Sequence, residues 1–135
     1  MSEENVELIL QGIEAVNCQD AEAFVATANP DIEWEDAVFG SESARVYRGK
    51  AELREWFNKV VVEPWESLHC ELAEIIETTT DRVVWEGVLT ARGRDSGVET
   101  QQRFWTVQWF AGGMTTRRRV FFERDEALEA AGFGQ

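Results

Sequence analysis

An aspartate in apolar company is the first residue of this sequence whose type and setting suggest chemistry. Asp36 lies in the stretch WEDAVFGSESARVYRG, residues 34–49, between a tryptophan and an apolar run. A carboxylate in apolar surroundings has its charged form disfavoured, which raises its pKa towards the range where it can exchange protons near neutral pH. Asp36 is therefore a candidate general base. The alternative is that it caps or braces the loop before Gly40.

Three helices and a strand are predicted in the first half of the chain. The first helix begins at Ser2, where two following glutamates suit the helix dipole and apolar residues then recur at helical spacing. Residues 21–28 form a second helix, capped by Asp20. Residues 31–39 alternate as a short strand, and residues 50–63 carry the apolar stripe of a third helix. Asp36 is thus placed in a strand between two helices.

The second half of the chain changes period and predicts four strands. They cover residues 67–78, 81–93, 98–110 and 114–122, joined by short turns rich in Gly, Asp and Ser. A terminal helix follows over residues 123–132. Helices followed by an antiparallel meander indicate an α+β fold with the helices on one face of the sheet.

Length and charge limit the possible functions. A chain of 135 residues forms one domain by the usual size of domains. Its net charge of −13 disfavours nucleic acid and anionic membrane surfaces as partners. It has no apolar run of about 20 residues, and its N-terminus is acidic where a signal peptide would be basic, so a cytoplasmic protein is expected. Cys18 and Cys70 show neither metal-ligand spacing nor a disulfide framework, and core packing is predicted for them.

The strand over residues 98–110 is apolar on both faces. An antiparallel sheet with one solvated face should alternate cleanly between apolar and polar residues. Trp105 and Trp109 form a stripe on the second face. We therefore predict a homodimer through these two residues; the alternative is that they are scattered exposed aromatics.

Five segments carry a resemblance to a known family: NPDIEWED, VYRGKAELREWF, DRVVWEG, RGRDSG and GGMTTRRRVFFERDEALEAAGF. Together they resemble the SnoaL-like group of the nuclear transport factor 2-like superfamily. The resemblance implies a single SnoaL-like domain over residues 1–135. It also implies a cystatin-like cone, in which N-terminal helices pack on a curved antiparallel sheet that encloses a pocket. It implies function less specifically, because the superfamily includes ketosteroid isomerases, polyketide cyclases, epoxide hydrolases and dehydratases as well as non-catalytic domains.

The resemblance also bears on the role of Asp36. WEDAVFGSE is similar to the segment that supplies the general-base aspartate of ketosteroid isomerases, and Asp36 falls on that base. The positions that match the isomerase's two oxyanion donors hold Gly12 and Thr106. An oxyanion donor contributes about 3 kcal/mol to catalysis, so steroid isomerisation is not expected.

Period-two alternation, anchored on the resemblance, predicts which side chains face the pocket. The expected pocket residues are Trp34, Trp56, Glu86, Val88, Thr106, Gln108, Arg118 and Val120. Its charged set is Asp36, Glu86 and Arg118. Two acids around one arginine suit acid and base chemistry, because the arginine keeps one carboxylate ionised while the other can stay protonated. The alternative is that Glu86 and Arg118 form a structural ion pair.

Two classes of function remain open. One is a cofactor-free isomerase, lyase or hydrolase acting on a small apolar molecule, with Asp36 as base, Glu86 as acid or water-positioning group and Arg118 as charge stabiliser. The other is a non-catalytic, dimeric ligand-binding or interaction module. No nucleophilic Cys/His arrangement, phosphate-binding loop or metal-ligand cluster stands out, so no cofactor or metal is expected. The one histidine, His69, is expected at the surface or an interface.

Overall fold

A computed structural model describes residues 2–36 and 45–133, which form four helices and six strands. The helices are α1 (Ser2–Asn17), α2 (Ala21–Val25), α3 (Gly49–Trp56) and α4 (Arg124–Ala130). The strands are β1 (Ala28–Asp36), β2 (Arg45–Arg48), β3 (Trp65–Thr78), β4 (Arg82–Gly93), β5 (Glu99–Ala111) and β6 (Met114–Phe121). Within this described part, no helix is both long and apolar enough to cross a lipid bilayer.

All six strands belong to one sheet, in the order β2-β1-β6-β5-β4-β3. Strands β3 to β6 form the predicted antiparallel meander, and β2 pairs with β1 in the same sense. Strand β1, however, lies parallel to β6, with Trp34 opposite Arg118. The sheet as a whole is therefore mixed, and this parallel pairing brings the strand of Asp36 beside the strand of Arg118. Strand β2 was not predicted, because its four residues include only one buried side chain, Tyr47.

Local sequence features fix the helices that cover the sheet. The Asp20 carboxylate accepts a hydrogen bond of 3.0 Å from the Ala23 backbone N–H, which confirms the predicted cap of α2. The third helix continues beyond Trp56 as a π-helical segment, Phe57–Val62. The Trp65 indole N–H donates to the Val60 carbonyl at 2.8 Å and so gives a carbonyl in this wider turn a partner. The π-helical segment thereby keeps a defined position beside the sheet.

Helices α1, α2 and α3 pack on the concave face of the sheet, as predicted. An aromatic cluster joins α2, β1 and α3, with ring centroids 5.1–5.5 Å apart for the pairs that Phe24 forms with Trp34, Trp56 and Phe57. Burial of such large rings is a major source of stability. A second apolar cluster, which includes Ile9 of α1, lies against β4, β5 and β6.

The convex face is partly covered by α4 of the same chain. Ala127 and Ala131 pack against Val84 and Val107, and all four residues are buried. Trp105 and Trp109 adjoin this cluster and stay half-buried. Part of the apolar surface that suggested a dimer is thus covered within the chain, and the dimer stays a prediction.

Candidate functional site

A cavity of about 80 Å³ lies between the concave face and helices α1 to α3. Apolar side chains from both helices and strands line most of it, including Ile13, Phe24 and Leu89. Among the described residues that line it, only Asp36 and Arg118 are charged. An apolar cavity with a small number of polar groups is the usual form of a small-molecule site.

Asp36 and Arg118 meet because β1 and β6 are neighbours. Arg118 Nη1 lies 3.5 Å from Asp36 Oδ1 and donates to the Glu35 carbonyl oxygen at 3.2 Å. The guanidinium carbon lies 4.5 Å from the centroid of the Trp34 ring, in cation–π geometry. The Asp36 and Arg118 side chains are each only 7% exposed. The site therefore contains a buried ion pair with an indole against its cation.

Burial acts on two titratable groups of the cavity. It lowers the pKa of Arg118 below its ordinary value, while the charge of Asp36 opposes this change. Burial also raises the pKa of the Cys70 thiol to about 12, although Arg118 acts in the opposite direction. The thiol is therefore protonated at neutral pH and is a poor nucleophile. Its buried position confirms the core packing predicted for Cys70, whereas the same prediction for Cys18 is wrong, because Cys18 is exposed.

Glu86 does not face the cavity, so this part of the predicted site is wrong. Trp85 and Leu89 of β4 line the cavity instead, and Glu86 and Val88 lie on the convex face. Glu86 forms an ion pair with Arg103, not with Arg118, so the alternative of a structural Glu86–Arg118 pair is also wrong. The predicted inward and outward positions on β4 were shifted by one residue. From Val83 to Gly87 this strand is buried on both faces, so no alternation of buried and exposed residues shows which face is inward.

Thr106, Gln108 and Val120 lie on the predicted concave face but do not line the cavity. The Gln108 side-chain oxygen accepts from the Trp85 indole N–H at 3.1 Å, and its amide nitrogen donates to the Thr115 hydroxyl at 3.0 Å. Gln108 therefore holds the orientation of a lining residue without contacting the cavity itself. Trp34 and Trp56 line the cavity, as expected from the sequence.

Sequence reasoning also missed several lining residues. Ile9, Ile13 and Val16 of α1 face the cavity, as do Leu68 and Cys70 of β3. The helical spacing of Ile9 and Ile13 was a usable sign, because a stripe of this kind must face the interior. No comparable sign marked β3, an edge strand with two bulges in its pairing with β4 between Leu72 and Glu77.

Metal binding has no geometric support in residues 2–36 and 45–133. No group of three or more His, Cys, Asp or Glu side chains there is arranged to hold a metal ion. His69 is exposed and lies 3.8 Å from Glu71, away from the cavity. The chemistry that these residues support is that of an ion pair in an apolar enclosure.

Comparison with known families matches residues 9–118 to the SnoaL-like domain. The chain belongs to the SnoaL-like domain family. Its architecture is that of the nuclear transport factor 2-like superfamily, with helices packed on a curved sheet. No match is found among curated protein sequences.

Several solved structures share this SnoaL-like fold. Rv0760c from Mycobacterium tuberculosis, in complex with estradiol-17β-hemisuccinate, is 16% identical, with a TM-score of 0.74 over 89% of this chain and 94% of that one. TerC, co-crystallised with polyporic acid, is 23% identical, with a TM-score of 0.72 over 93% and 98%. The Δ5-3-ketosteroid isomerase from Mycobacterium sp. is 20% identical, with a TM-score of 0.72 over 89% and 93%. At these identities the likeness establishes the fold.

Proposed function

We propose that this SnoaL-like protein binds a small, largely apolar molecule in the cavity, with its polar group at the Asp36–Arg118 pair. The observation that carries the proposal is the position of this charged pair, because the other described residues of the lining are almost all apolar. Apolar walls supply affinity, and a few fixed polar groups supply orientation. Two proteins of the same fold, Rv0760c and TerC, have been crystallised with small molecules, which supports the same use of this cavity.

The size of the cavity favours a compact ligand. Its volume is about 80 Å³. The aromatic walls formed by Trp34, Trp56 and Trp85 favour a flat, cyclic molecule. The acidic net charge of −13 disfavours an anionic ligand such as a phosphate ester.

We propose catalysis as a second function of the same site. It is favoured by the position of the Asp36 carboxylate in the cavity wall and by the shared fold of a ketosteroid isomerase. Asp36 would take a proton from a carbon next to a carbonyl group, and Arg118 would stabilise the negative charge that develops on the oxygen. Glu86 has no part in this scheme, because it lies on the other face of the sheet.

Binding is tested by titrating the ¹⁵N-labelled protein with toluene and p-cresol. We expect the backbone amide signals of Gly12, Leu68 and Leu89 to shift with both compounds, because these residues line the cavity. Leu89→Trp should abolish the shifts by filling the cavity, and Glu86→Gln should preserve them. If neither compound moves these signals, the binding proposal is wrong.

Catalysis is tested by following the exchange of the α-hydrogens of cyclohexanone in D₂O by NMR. Exchange above the buffer rate, lost in Asp36→Asn and retained in Glu86→Gln, would support Asp36 as a general base. Binding of cyclohexanone without accelerated exchange would leave the protein as a non-catalytic binding module.

The homodimer and the cytoplasmic location are proposals that rest on the sequence pattern. Trp105 and Trp109 remain half-buried beside α4 on the convex face, which is compatible with further burial against a second copy. Sedimentation at micromolar concentration tests this proposal, and a monomer under those conditions would contradict it.

A further inference from the structure

Three buried N–H groups around the cavity have no hydrogen-bond acceptor among residues 2–36 and 45–133. They are Trp34 Nε1, Trp56 Nε1 and Arg118 Nε, and each is shielded from solvent. The residues that carry them are 8%, 6% and 6% exposed, respectively. A buried donor without an acceptor is unfavourable and uncommon, so three in one place require an explanation.

The three donors belong to neighbouring side chains, with Trp34 in contact with each of the other two. The Trp34 ring centroid lies 5.2 Å from that of Trp56 and 4.5 Å from the guanidinium carbon of Arg118. All three residues line the cavity. Two other unpartnered polar atoms, Trp105 Nε1 and Thr106 Oγ1, belong to residues that do not line it. The cavity wall therefore contains a cluster of donors that lack an acceptor.

The third tryptophan of the cavity differs from these two. Trp85 also lines the cavity, but its Nε1 donates to Gln108 Oε1 at 3.1 Å. The fold thus provides an internal acceptor for one indole and leaves two others without one. Trp85 is consequently a matched control for Trp34 and Trp56. It is a tryptophan in the same cavity, but its indole N–H already has an acceptor.

The charges around the cluster decide what kind of acceptor suits it. Arg118 is already paired with Asp36, so the two charges cancel within the site. An anion placed here would be buried without a counter-charge of its own, which is strongly unfavourable. An uncharged oxygen can accept hydrogen bonds from the free donors without that penalty.

We propose that the cavity recognises ligands through an uncharged acceptor oxygen, such as a ketone carbonyl, that binds to the N–H groups of Trp34, Trp56 and Arg118. This inference rests on the proposed binding function and specifies the ligand's polar group. Because the donors are shielded, the indoles must turn slightly to reach the ligand, an adjustment that is common on binding. The subsite therefore selects ligands that carry a hydrogen-bond acceptor. The Asp36 carboxylate alone would instead select ligands that carry a hydrogen-bond donor.

The experiment uses cyclohexanone and methylenecyclohexane, which have the same shape. Cyclohexanone carries a C=O acceptor at the position where methylenecyclohexane carries C=CH₂. Both are titrated into ¹⁵N-labelled protein, and the six tryptophan indole signals are assigned by Trp→Phe variants. We expect cyclohexanone to move the Nε1–H signals of Trp34 and Trp56 downfield and to leave that of Trp85 nearly unchanged. Methylenecyclohexane should produce no downfield shift of these indole signals.

The variants give a quantitative form of the same test. The measured quantity is the dissociation constant of methylenecyclohexane divided by that of cyclohexanone. We expect this ratio to fall about tenfold in Trp34→Phe or Trp56→Phe, as for the loss of one useful hydrogen bond, and to stay within about twofold in Trp85→Phe. The loss of ring size cancels in the ratio, because the two probes have the same shape. If Trp34→Phe fails to fold, Trp56→Phe alone carries the test.

Each outcome supports or overturns a distinct statement. If both probes shift the cavity's backbone signals but the ratio is the same in every variant, the acceptor subsite is wrong and the binding function stands. If cyclobutanecarboxylate binds more tightly than cyclohexanone, the preference for an uncharged oxygen is wrong. If none of the three compounds affects the cavity signals, the binding function fails together with the subsite.

Discussion

Arg118 Nη1 lies 3.5 Å from Asp36 Oδ1, and both side chains are only 7% exposed. The parallel pairing of β1 with β6 creates this relationship, because it sets Trp34 opposite Arg118 and Asp36 two residues further along β1. Each of these buried charges depends on the other. Neither is exposed to enough water to be solvated if its partner is removed. The behaviour of Asp36 variants is therefore tied to stability as well as to function.

Asp36→Asn should lower the free energy of unfolding by about 3 kcal/mol, because it leaves the buried Arg118 guanidinium without its counter-charge. Chemical denaturation at neutral pH measures the change. Glu86→Gln is the matched control, since its partner Arg103 is 59% exposed and stays solvated after the charge is removed. We expect a loss of less than about 1 kcal/mol in that variant. Equal stability of Asp36→Asn and the wild type would contradict the role of the pair.

Gly87→Ala should both destabilise the protein and alter the cavity. A Cβ at position 87 would lie 2.5 Å from Phe104 Cζ and 2.8 Å from Trp85 Cζ3, closer than atoms can approach. Both rings line the cavity, so they must move for the methyl group to fit. Overpacking of this kind costs about 1–3 kcal/mol, which thermal or urea unfolding will show.

The double variant Gly87→Ala/Phe104→Leu is the control for this mechanism. The smaller leucine removes the ring that the new methyl group meets, so the penalty of the alanine should be smaller in that background. If the alanine costs the same in both backgrounds, the contact with Phe104 is not its cause.

The buried thiol of Cys70 should make stability depend on pH above about 9. Burial raises its pKa in the folded protein from the ordinary value of 9.0 to about 12. Between these values the unfolded chain loses the thiol proton and the folded protein keeps it, so stability falls as the pH rises. From pH 7 to pH 10 the wild type should lose about 1.4 kcal/mol more than Cys70→Ala. Parallel pH profiles for the two proteins would show that the thiol does not titrate in this way.

The sequence predicted most of the fold because several local signals agreed. Turn residues, helix caps and apolar periodicity located four helices, strand β1 and the four-strand meander. The resemblance to SnoaL-like proteins predicted that these elements form a cone. The parallel pairing of β1 with β6 was not predicted, because strands distant in sequence leave no local sign of their pairing. The four residues of β2 were missed because only Tyr47 among them is buried.

The site was predicted only in part. The prediction was right where the apolar pattern of a strand or helix is clear and wrong where it is not. Trp34, Trp56, Asp36 and Arg118 lie in the cavity wall as expected, since the strand pattern around Trp34 and the stripe of α3 are clear. On β4, five consecutive buried residues hide which face is inward, so Glu86 was assigned to the wrong one. The donors without acceptors could not be predicted, because hydrogen bonding depends on side-chain positions that a sequence does not specify.

Gly12→Ala should increase stability and weaken ligand binding at the same time. Gly12 lies within α1 and lines the cavity, and a Cβ there would meet Phe24 no closer than 3.6 Å, an ordinary contact. Alanine is favoured over glycine inside a helix by about 1 kcal/mol, so the free energy of unfolding should rise by about that amount. The same methyl group occupies part of a cavity of only about 80 Å³. Binding of p-cresol should therefore become weaker, as titration of the ¹⁵N-labelled protein would show. A variant that is more stable and binds p-cresol as tightly as the wild type would show that the ligand does not use the space beside Gly12, and that the proposed cavity is not where it binds.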